Sequence, residues 1–340
     1  SRVWLNSFAD TVIMTGKKES RPYKETDIGR IRDWLDRNYR LKASKDIVHD
    51  AVALVAEDNK RNPLVEWIDG LEWDGVSRAG SWLTTGMGAQ DTRLNREMAA
   101  KWLVQCVARA KKPGCKADQV MVLYGKKGIG KSTAFRILAG DDYFSDSPIQ
   151  IGSNKAFEQL RMVWIYEVAE LDSIRRRDAS SVKAFFSAQE DTYVRPYGRV
   201  AVRMKRHTVF CGTTNDKFFL TEATNRRFWP VESSGTINDK RLIKNREQLW
   251  AEAVALYNRG TLWYLDGVQA QDLDLVSAEH QQADPWEDLI EDWAKVSFSP
   301  KTSTEILKDA IKMEPDRMTR FHEIRIQEIL QAMGWTCKRT

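Results

Sequence analysis

Gly125-Lys126-Lys127-Gly128-Ile129-Gly130-Lys131-Ser132 is the stretch on which the fold turns. It fits the pattern G-x-x-x-x-G-K-[ST], whose backbone cradles the phosphates of a nucleoside triphosphate. An apolar run with strand character, Val120-Met121-Val122-Leu123-Tyr124, leads into it. Thr133-Ala134-Phe135-Arg136-Ile137-Leu138, with helical character, leads out. Strand, loop and helix in that order aim the N–H groups of the loop and of the helix N-terminus at one anion. Lys131 is then expected to reach the β- and γ-phosphates, and the Ser132 hydroxyl to meet magnesium. The run from Gly125 to Thr133 is thus a candidate ATP cradle, with ATP and Mg²⁺ as expected cofactors. The bland alternative is a glycine-rich turn without a ligand, and the flanking segments weigh against it.

The chain of 340 residues has room for two or three domains, and its 42% hydrophobic and 30% charged residues are those of a globular protein. No apolar run approaches the length of a membrane span, and the N-terminus does not read as a secretory signal. Cys106, Cys115, Cys211 and Cys337 lie far apart, without a C-x-x-C pair, so neither structural zinc nor a disulfide framework is indicated. A reducing bacterial cytosol is the expected setting, with no membrane partner. A net charge of +5 and a pI near 8.9 leave a polyanionic partner open. Thirteen tryptophans are many for this length and are expected mainly as core anchors.

Residues 1–118 read as a mainly helical region. Ile31, Trp34 and Leu35 have helical spacing, as do the apolar residues of Lys45 to Val55 and of Met98 to Arg109. Pro113-Gly114 closes this region. Residues 119–235 alternate strand and helix signals, which predicts an α/β parallel sheet as the P-loop core. Residues 236–298 read as a helical continuation, with Leu242 to Tyr257 a helix and Asp266 to Asp274 a loop. Residues 299–340 read as a small tail.

A phosphate loop needs an acid to manage magnesium and water. The buried strand Met162-Val163-Trp164-Ile165-Tyr166 runs into Glu167, with Glu170 three residues on. Glu167 is assigned to the metal side with Ser132, and Glu170 to the water side, with the reverse kept open. Alternatively both are solvated acids opening a helix. A third strand, Thr208-Val209-Phe210-Cys211-Gly212, runs into Thr213-Thr214-Asn215. Asn215 is placed to sense the γ-phosphate and the attacking water, although an amide after a strand is also an ordinary turn residue. Arg226 and Arg227, in Asn225-Arg226-Arg227-Phe228-Trp229-Pro230, are candidates for stabilising transition-state charge, in their own subunit or across an interface. A salt-bridged surface turn is the alternative.

From Thr192 to Asn215 there is no acidic residue, whereas Arg195, Arg199, Arg203, Lys205 and Arg206 all fall there. Pro196-Tyr197-Gly198 marks a turn, and Val200-Ala201-Val202 a strand. A cationic hairpin with Tyr197 near its turn suits single-stranded nucleic acid, with phosphates tracked by charge and bases stacked on the ring. A merely solvating charged hairpin is the alternative.

Taken together these residues resemble the virulence-associated E family of phage and genomic-island replication proteins. That family is related to the superfamily 3 helicases of the AAA+ group. The resemblance rests on Trp73-Asp74-Gly75, Arg109 with Pro113-Gly114 and Lys116, the phosphate loop, Tyr166-Glu167 with Glu170-Leu171, and Lys183-Ala184-Phe185-Phe186. It continues through Arg195-Pro196-Tyr197-Gly198-Arg199, Gly212-Thr213-Thr214-Asn215 and Asn225 to Pro230, and spans roughly residues 60–260. It implies a ring-forming, usually hexameric, ATP-driven helicase. Lys131 and Ser132 would bind nucleotide, the glutamates act with magnesium, and Asn215 serve as the sensor. Arg226 or Arg227 would be an arginine finger for the neighbouring subunit. Lys183 and the segment containing Arg195, Tyr197, Arg199, Arg203, Lys205 and Arg206 would contact DNA. One departure is clear: superfamily 3 members often carry adjacent acids at the second strand, and here Val168-Ala169 separates them. No primase-like domain is read upstream.

In the tail, Thr302-Ser303-Thr304-Glu305 resembles a capping box ahead of Ile306-Leu307, and a second helix is read over about Phe321 to Met333. A winged-helix module and a plain helical cap are both compatible with these helices, because nine basic and six acidic residues over 295–340 do not decide between them. The function expected is an ATP-dependent DNA helicase or translocase of phage or genomic-island replication. Its rivals are a nucleotide-gated initiator that binds an origin duplex without strong unwinding, and a P-loop small-molecule phosphoryl transferase.

Overall fold

The computed structural model describes residues 2–16, 19–150, 152–169, 179–194, 201–220, 227–280, 285–295 and 301–335. The chain forms two compact units, Ser1–His280 and Gln281–Thr340.

The first unit begins with a sheet that the helical reading of residues 1–118 did not anticipate. Strands β1 (Arg2–Asn6), β2 (Thr11–Thr15), β3 (Ser20–Pro22) and β4 (Lys60–Arg61) lie in the order β3-β2-β1-β4. These strands are too short for periodicity to betray them. The turn that pairs β1 with β2 is nucleated by Asn6, whose Oδ1 accepts from the backbone of Phe8 at 3.1 Å and of Ala9 at 3.2 Å. Helices α1 (Glu25–Tyr39) and α2 (Lys45–Asp58) cover this sheet, with Val48 and Val52 packing against Val3, Val12, Ile28 and Ile31.

Two short helices, α3 (Pro63–Asp69) and α4 (Trp82–Met87), lead to α5 (Arg93–Lys111). Helix α5 starts on the cap of Thr92 and is buried nearly all round from Met98 to Ala110. One of its faces carries Lys101, Gln105 and Arg109, spaced four residues apart and all buried. Each donates to at least one main-chain carbonyl, although Gln105 Oε1 and Arg109 Nε have no partner among the described residues. Lys101 Nζ donates to Tyr264 O at 2.9 Å, Gln105 Nε2 to Gln119 O at 2.9 Å, and Arg109 Nη1 to Arg206 O at 2.8 Å. Helix α5 therefore pins the loops around it by polar contacts.

The central sheet follows. It is built from β5 (Val120–Tyr124), helix α6 (Lys131–Ala139), β6 (Phe144–Ser145), α7 (Asn154–Leu160), β7 (Ile165–Ala169), α8 (Ala179–Ser187) and the hairpin β8 (Glu190–Val194) and β9 (Ala201–Lys205). Strands β10 (Val209–Thr214) and β11 (Phe228–Glu232) complete it. The five-stranded sheet has the order β11-β5-β10-β7-β6, with every pairing parallel. Its inner strands read as continuous apolar runs because both faces are covered. Met121, Leu123, Cys211 and Val231 meet α5 and α6 on one face. Val122, Tyr166, Phe210 and Phe228 meet Phe185 and Phe186 of α8 on the other. Five of the thirteen tryptophans, Trp82, Trp102, Trp164, Trp229 and Trp250, are buried anchors, whereas the others are half-buried or, like Trp34 and Trp335, exposed. Trp164 and Trp250 lie 4.4 Å apart between ring centroids, and each indole N–H donates to a buried carbonyl at 2.9 Å.

Helix α9 (Asp239–Asn258) packs along α5 and α6. Helix α10 (Gly267–Glu279) occupies the segment read from sequence as a loop. Its polar sequence hides one inward face, Leu273 and Ser277, that packing against β11 and α5 stabilises. The second unit contains α11 (Pro285–Ala294), α12 (Ser303–Asp309) and α13 (Arg320–Ala332) around Ile290, Ile306, Leu307, Ile326 and Ile329. Thr302 and Glu305 make the capping box of α12 that the sequence indicates. Among the described residues this unit has no strand.

His207 links fold to pH. Its ring lies 4.1 Å from that of Phe8, and its buried Nε2 has no partner among the described residues. Burial pushes its pKa from the ordinary 6.5 down to about 4. Between those values the unfolded chain binds a proton that the folded one refuses, so stability is complete above pH 6.5 and falls as pH drops toward 4. The expected loss is on the order of 3 kcal/mol. Urea unfolding of wild type and His207→Gln across this window should show the difference between them changing with pH by that amount. A constant difference would refute the assignment.

Candidate active site

The phosphate loop occupies the expected turn between β5 and α6. Gly130 closes it at φ +93°, and a Cβ there would stand 2.1 Å from Ile237 Cγ2. Gly128, at φ +80°, has nothing within 4 Å of such a Cβ, so the crest of the loop is open to an incoming phosphate. Lys126, Lys127 and Thr133 are exposed, and Ile129 is half-buried with its carbonyl accepting from Ile237 N at 2.9 Å. Gly125 abuts Ser233 O, so the segment after β11 braces the loop from behind.

Lys131 is buried at the start of α6. Its Nζ donates to Gly125 O at 2.9 Å, Lys126 O at 2.9 Å and Asn215 Oδ1 at 3.0 Å. Burial lowers its pKa, and the charge of Glu167 acts in the opposite direction. Asn215 follows β10, the neighbour of β5, so the sheet order brings the amide to the lysine across 84 residues of sequence. Ser132 Oγ donates to Glu167 Oε1 at 2.6 Å. The same oxygen accepts from Thr213 Oγ1, whereas Glu167 Oε2 is buried without a partner among the described residues. Burial raises the Glu167 pKa, and the hydroxyls of Ser132 and Thr213 partly offset it.

Sequence reasoning missed Thr213. Its signal was the pair of hydroxyls, Thr213 and Thr214, closing an otherwise apolar buried strand just before the amide that was singled out. Glu170 lies outside the described residues. Ser132, Thr213 and the orphaned oxygen of Glu167 form a hard-oxygen set that fits Mg²⁺. Among the described residues no three His, Cys, Asp or Glu side chains converge. A cation at this point would therefore lean on one carboxylate, one or two hydroxyls and the nucleotide itself.

Arg227 sits elsewhere. Phe228 pairs with Val120 in the parallel register, so Arg227 stands at the start of β11 while the phosphate loop follows the end of β5. A whole strand, about 17 Å, separates them. Arg227 does not reach the loop of its own subunit, which removes the first of the two placements considered for it. Its Nε donates to Ser187 Oγ at 2.9 Å and lies 3.6 Å from Asp118 Oδ2. Arg226 lies outside the described residues.

The basic segment does form a hairpin. β8 and β9 pair antiparallel, with Thr192 opposite Arg203 and Glu190 opposite Lys205. Arg203 and Lys205 share its exposed face, so the acid-free stretch of sequence meets an acid, Glu190, across the ladder. Lys183 is half-buried on α8. Arg195, Tyr197 and Arg199 lie outside the described residues.

Arg206 requires a correction. It was expected to contact DNA, but it is only 3% exposed. Its guanidinium pairs with Asp191, Nε to Oδ2 at 2.9 Å, donates to Phe185 O, and lies 4.9 Å from the Phe185 ring centroid. It roots the hairpin in the core. Asp191→Ala would leave this cation buried without its partner, an expected loss of about 3–5 kcal/mol. The urea midpoint measures it, and a loss below about 1 kcal/mol, the scale of a surface pair, would count against this placement.

Among the described residues no helix is long and apolar enough to cross a membrane. A family model described as the virulence-associated protein E-like domain matches residues 68–283. No curated protein matches the chain. Among solved structures, the apo C-terminal region (305–718) of NrS-1 aligns with a TM-score of 0.51 at 10% identity, over 98% of this chain and 87% of that one. An A-form apo structure of the same region gives 0.51 at 10%, over 98% and 88%. At such identity the likeness is one of fold.

Proposed function

The chain belongs to the family of virulence-associated protein E-like domains, and from that premise we propose that it is an ATP-hydrolysing motor acting on single-stranded DNA. Phage or genomic-island replication is the role that the family implies. The observation that carries the reading is the convergence of Lys131, Ser132, Asn215 and the mid-strand Glu167 on the C-terminal side of three neighbouring parallel strands. Ligands of open α/β sheets bind at such strand ends.

In this reading the triphosphate lies along the N–H groups of the loop and of α6. Lys131 exchanges its carbonyl partners for phosphate oxygens. Asn215, released from Lys131, orients the water, and Glu170 accepts its proton. Ser132 and Glu167 would hold magnesium, which when bound neutralises charge on the phosphates. Arg227 of one subunit would serve the nucleotide of the next, so the unit of activity is an oligomer, with a hexameric ring expected. Arg203 and Lys205 would meet the DNA backbone.

ATPase rate with and without single-stranded DNA, beside native mass with nucleotide, tests the proposal. Stimulation by the strand together with a nucleotide-dependent oligomer is expected. Hydrolysis indifferent to DNA in a monomer would overturn it.

A further inference from the structure

A second acid-free stretch of sequence precedes the central sheet. Between Glu97 and Asp118 no acidic residue occurs, whereas Lys101, Arg109, Lys111, Lys112 and Lys116 all fall there. The fold engages the first three. Lys101 and Arg109 are buried and donate to carbonyls, and Lys111 Nζ pairs with Asp69 Oδ1 at 2.7 Å. Lys112 and Lys116 are left exposed on the loop between α5 and β5.

That loop is tied to the root of the basic hairpin. Arg206 O accepts from Gly114 N and from Arg109 Nη1, each at 2.8 Å. Gly114 stands at φ +83°, and a Cβ there would meet the Lys205 side chain at 3.3 Å, so the stem of Lys205 lies across the loop. Lys112 and Lys116 are each two residues from Gly114, a reach of about 7 Å at most. Arg203 and Lys205 share the exposed face of β9. Two basic segments far apart in sequence thus meet at one surface, with an excess of positive charge despite Glu190 opposite Lys205. Among the described residues none of these four cations is in an ion pair. Trp263, half-buried, joins the same loop through its Nε1, which donates to Lys116 O at 2.7 Å, and the Tyr264 side chain next to it in sequence is exposed. Cations that can follow a phosphate backbone, beside an exposed ring, are the make-up of sites for single-stranded nucleic acid.

We propose that Lys112 and Lys116 bind the phosphates of single-stranded DNA, continuing the track of Arg203 and Lys205 onto the loop after α5. This rests on the reading of the hairpin as a DNA contact and adds a fixed part to it, because the loop is carried by a helix buried nearly all round. It also gives Arg109 and Gly114 a purpose: the bonds of one and the close approach of the other hold the loop against the hairpin. Neither Lys131 nor Ser132 takes part, so a strand is expected to be held with the nucleotide site empty.

The test is fluorescence anisotropy of a labelled oligothymidylate with the full chain in EDTA, without nucleotide, over about 50–200 mM salt. Each phosphate contact to a single strand contributes about 0.7 to the slope of log affinity against log salt. Lys112→Gln with Lys116→Gln should therefore flatten the slope by about 1.4 and weaken binding by about tenfold or more at about 100 mM salt. Lys112→Arg with Lys116→Arg keeps both charges and should keep the wild-type slope. Both pairs alter exposed side chains and should unfold at the wild-type urea concentration. An unchanged slope in the glutamine pair, displacement by duplex as readily as by strand, or no binding of the strand by wild type would overturn the proposal. The motor reading survives an unchanged slope if DNA still stimulates hydrolysis by wild type. Conversely, the expected slopes beside an ATPase indifferent to DNA would remove the motor and keep this surface.

Discussion

Lys131→Ala is expected to lower ATP hydrolysis by at least about a hundredfold, the scale on which removal of one preorganised charge-stabilising donor acts. The reason lies in what the ammonium group does without nucleotide. It holds three acceptors, Gly125 O, Lys126 O and Asn215 Oδ1, within 3.0 Å, so it is already desolvated and aimed. Little reorganisation is needed when phosphate oxygens replace the carbonyls. Burial also lowers the lysine's pKa, so the charge gains more from a phosphate than it would at the surface. The fold does not depend on the charge. Lys131→Met, which keeps the stem and removes the donors, should unfold at nearly the wild-type urea concentration and hydrolyse as poorly as the alanine variant. Substantial turnover in either variant would sink the hydrolysis site.

The sequence made the loop, the strand before it and the helix after it legible because each is local. Glycine spacing and apolar runs report backbone conformation directly. The pairing of Lys131 with Asn215 was legible only as an order of segments. What joins them is the adjacency of β5 and β10, which no local pattern encodes. The N-terminal sheet was missed because strands of two to five residues, sharing a region with long helices, leave no period to read. Arg206 misled for a different reason. A run of basic residues looks like one surface, but strand alternation exposes Arg203 and Lys205 while the residue after β9 turns inward onto Asp191. Composition cannot separate a cation that faces solvent from one that anchors a hairpin. Likewise Arg227 reads as part of the site in sequence, and only the parallel register shows that it stands a strand's length away.

Glu167→Gln should separate chemistry from stability. The carboxylate is buried beneath Ser132 and Thr213, with one oxygen unmatched among the described residues, and burial holds its pKa above the ordinary carboxylate value of 4.5. A raised pKa means that the folded chain binds a proton more readily than the unfolded chain. Stability from this group is therefore greatest below pH 4.5 and declines as pH rises through the folded-state value, so the charged side chain opposes folding at neutral pH. Glutamine has the same shape and no charge. Its stability relative to wild type should rise between pH 4.5 and 7.5, read as a growing difference in urea midpoint. Hydrolysis should move the other way, falling by at least about a hundredfold, because a neutral amide is a poor ligand for a hard divalent cation. Nucleotide binding without added magnesium should be retained, since the loop and Lys131 are untouched. A carboxylate kept solely for packing would predict the reverse: little kinetic loss, with no pH-dependent gain in stability. A buried acid that opposes folding at neutral pH, with one oxygen held by the Ser132 hydroxyl of the phosphate loop and the other without a partner among the described residues, is the feature that the proposed magnesium site would account for.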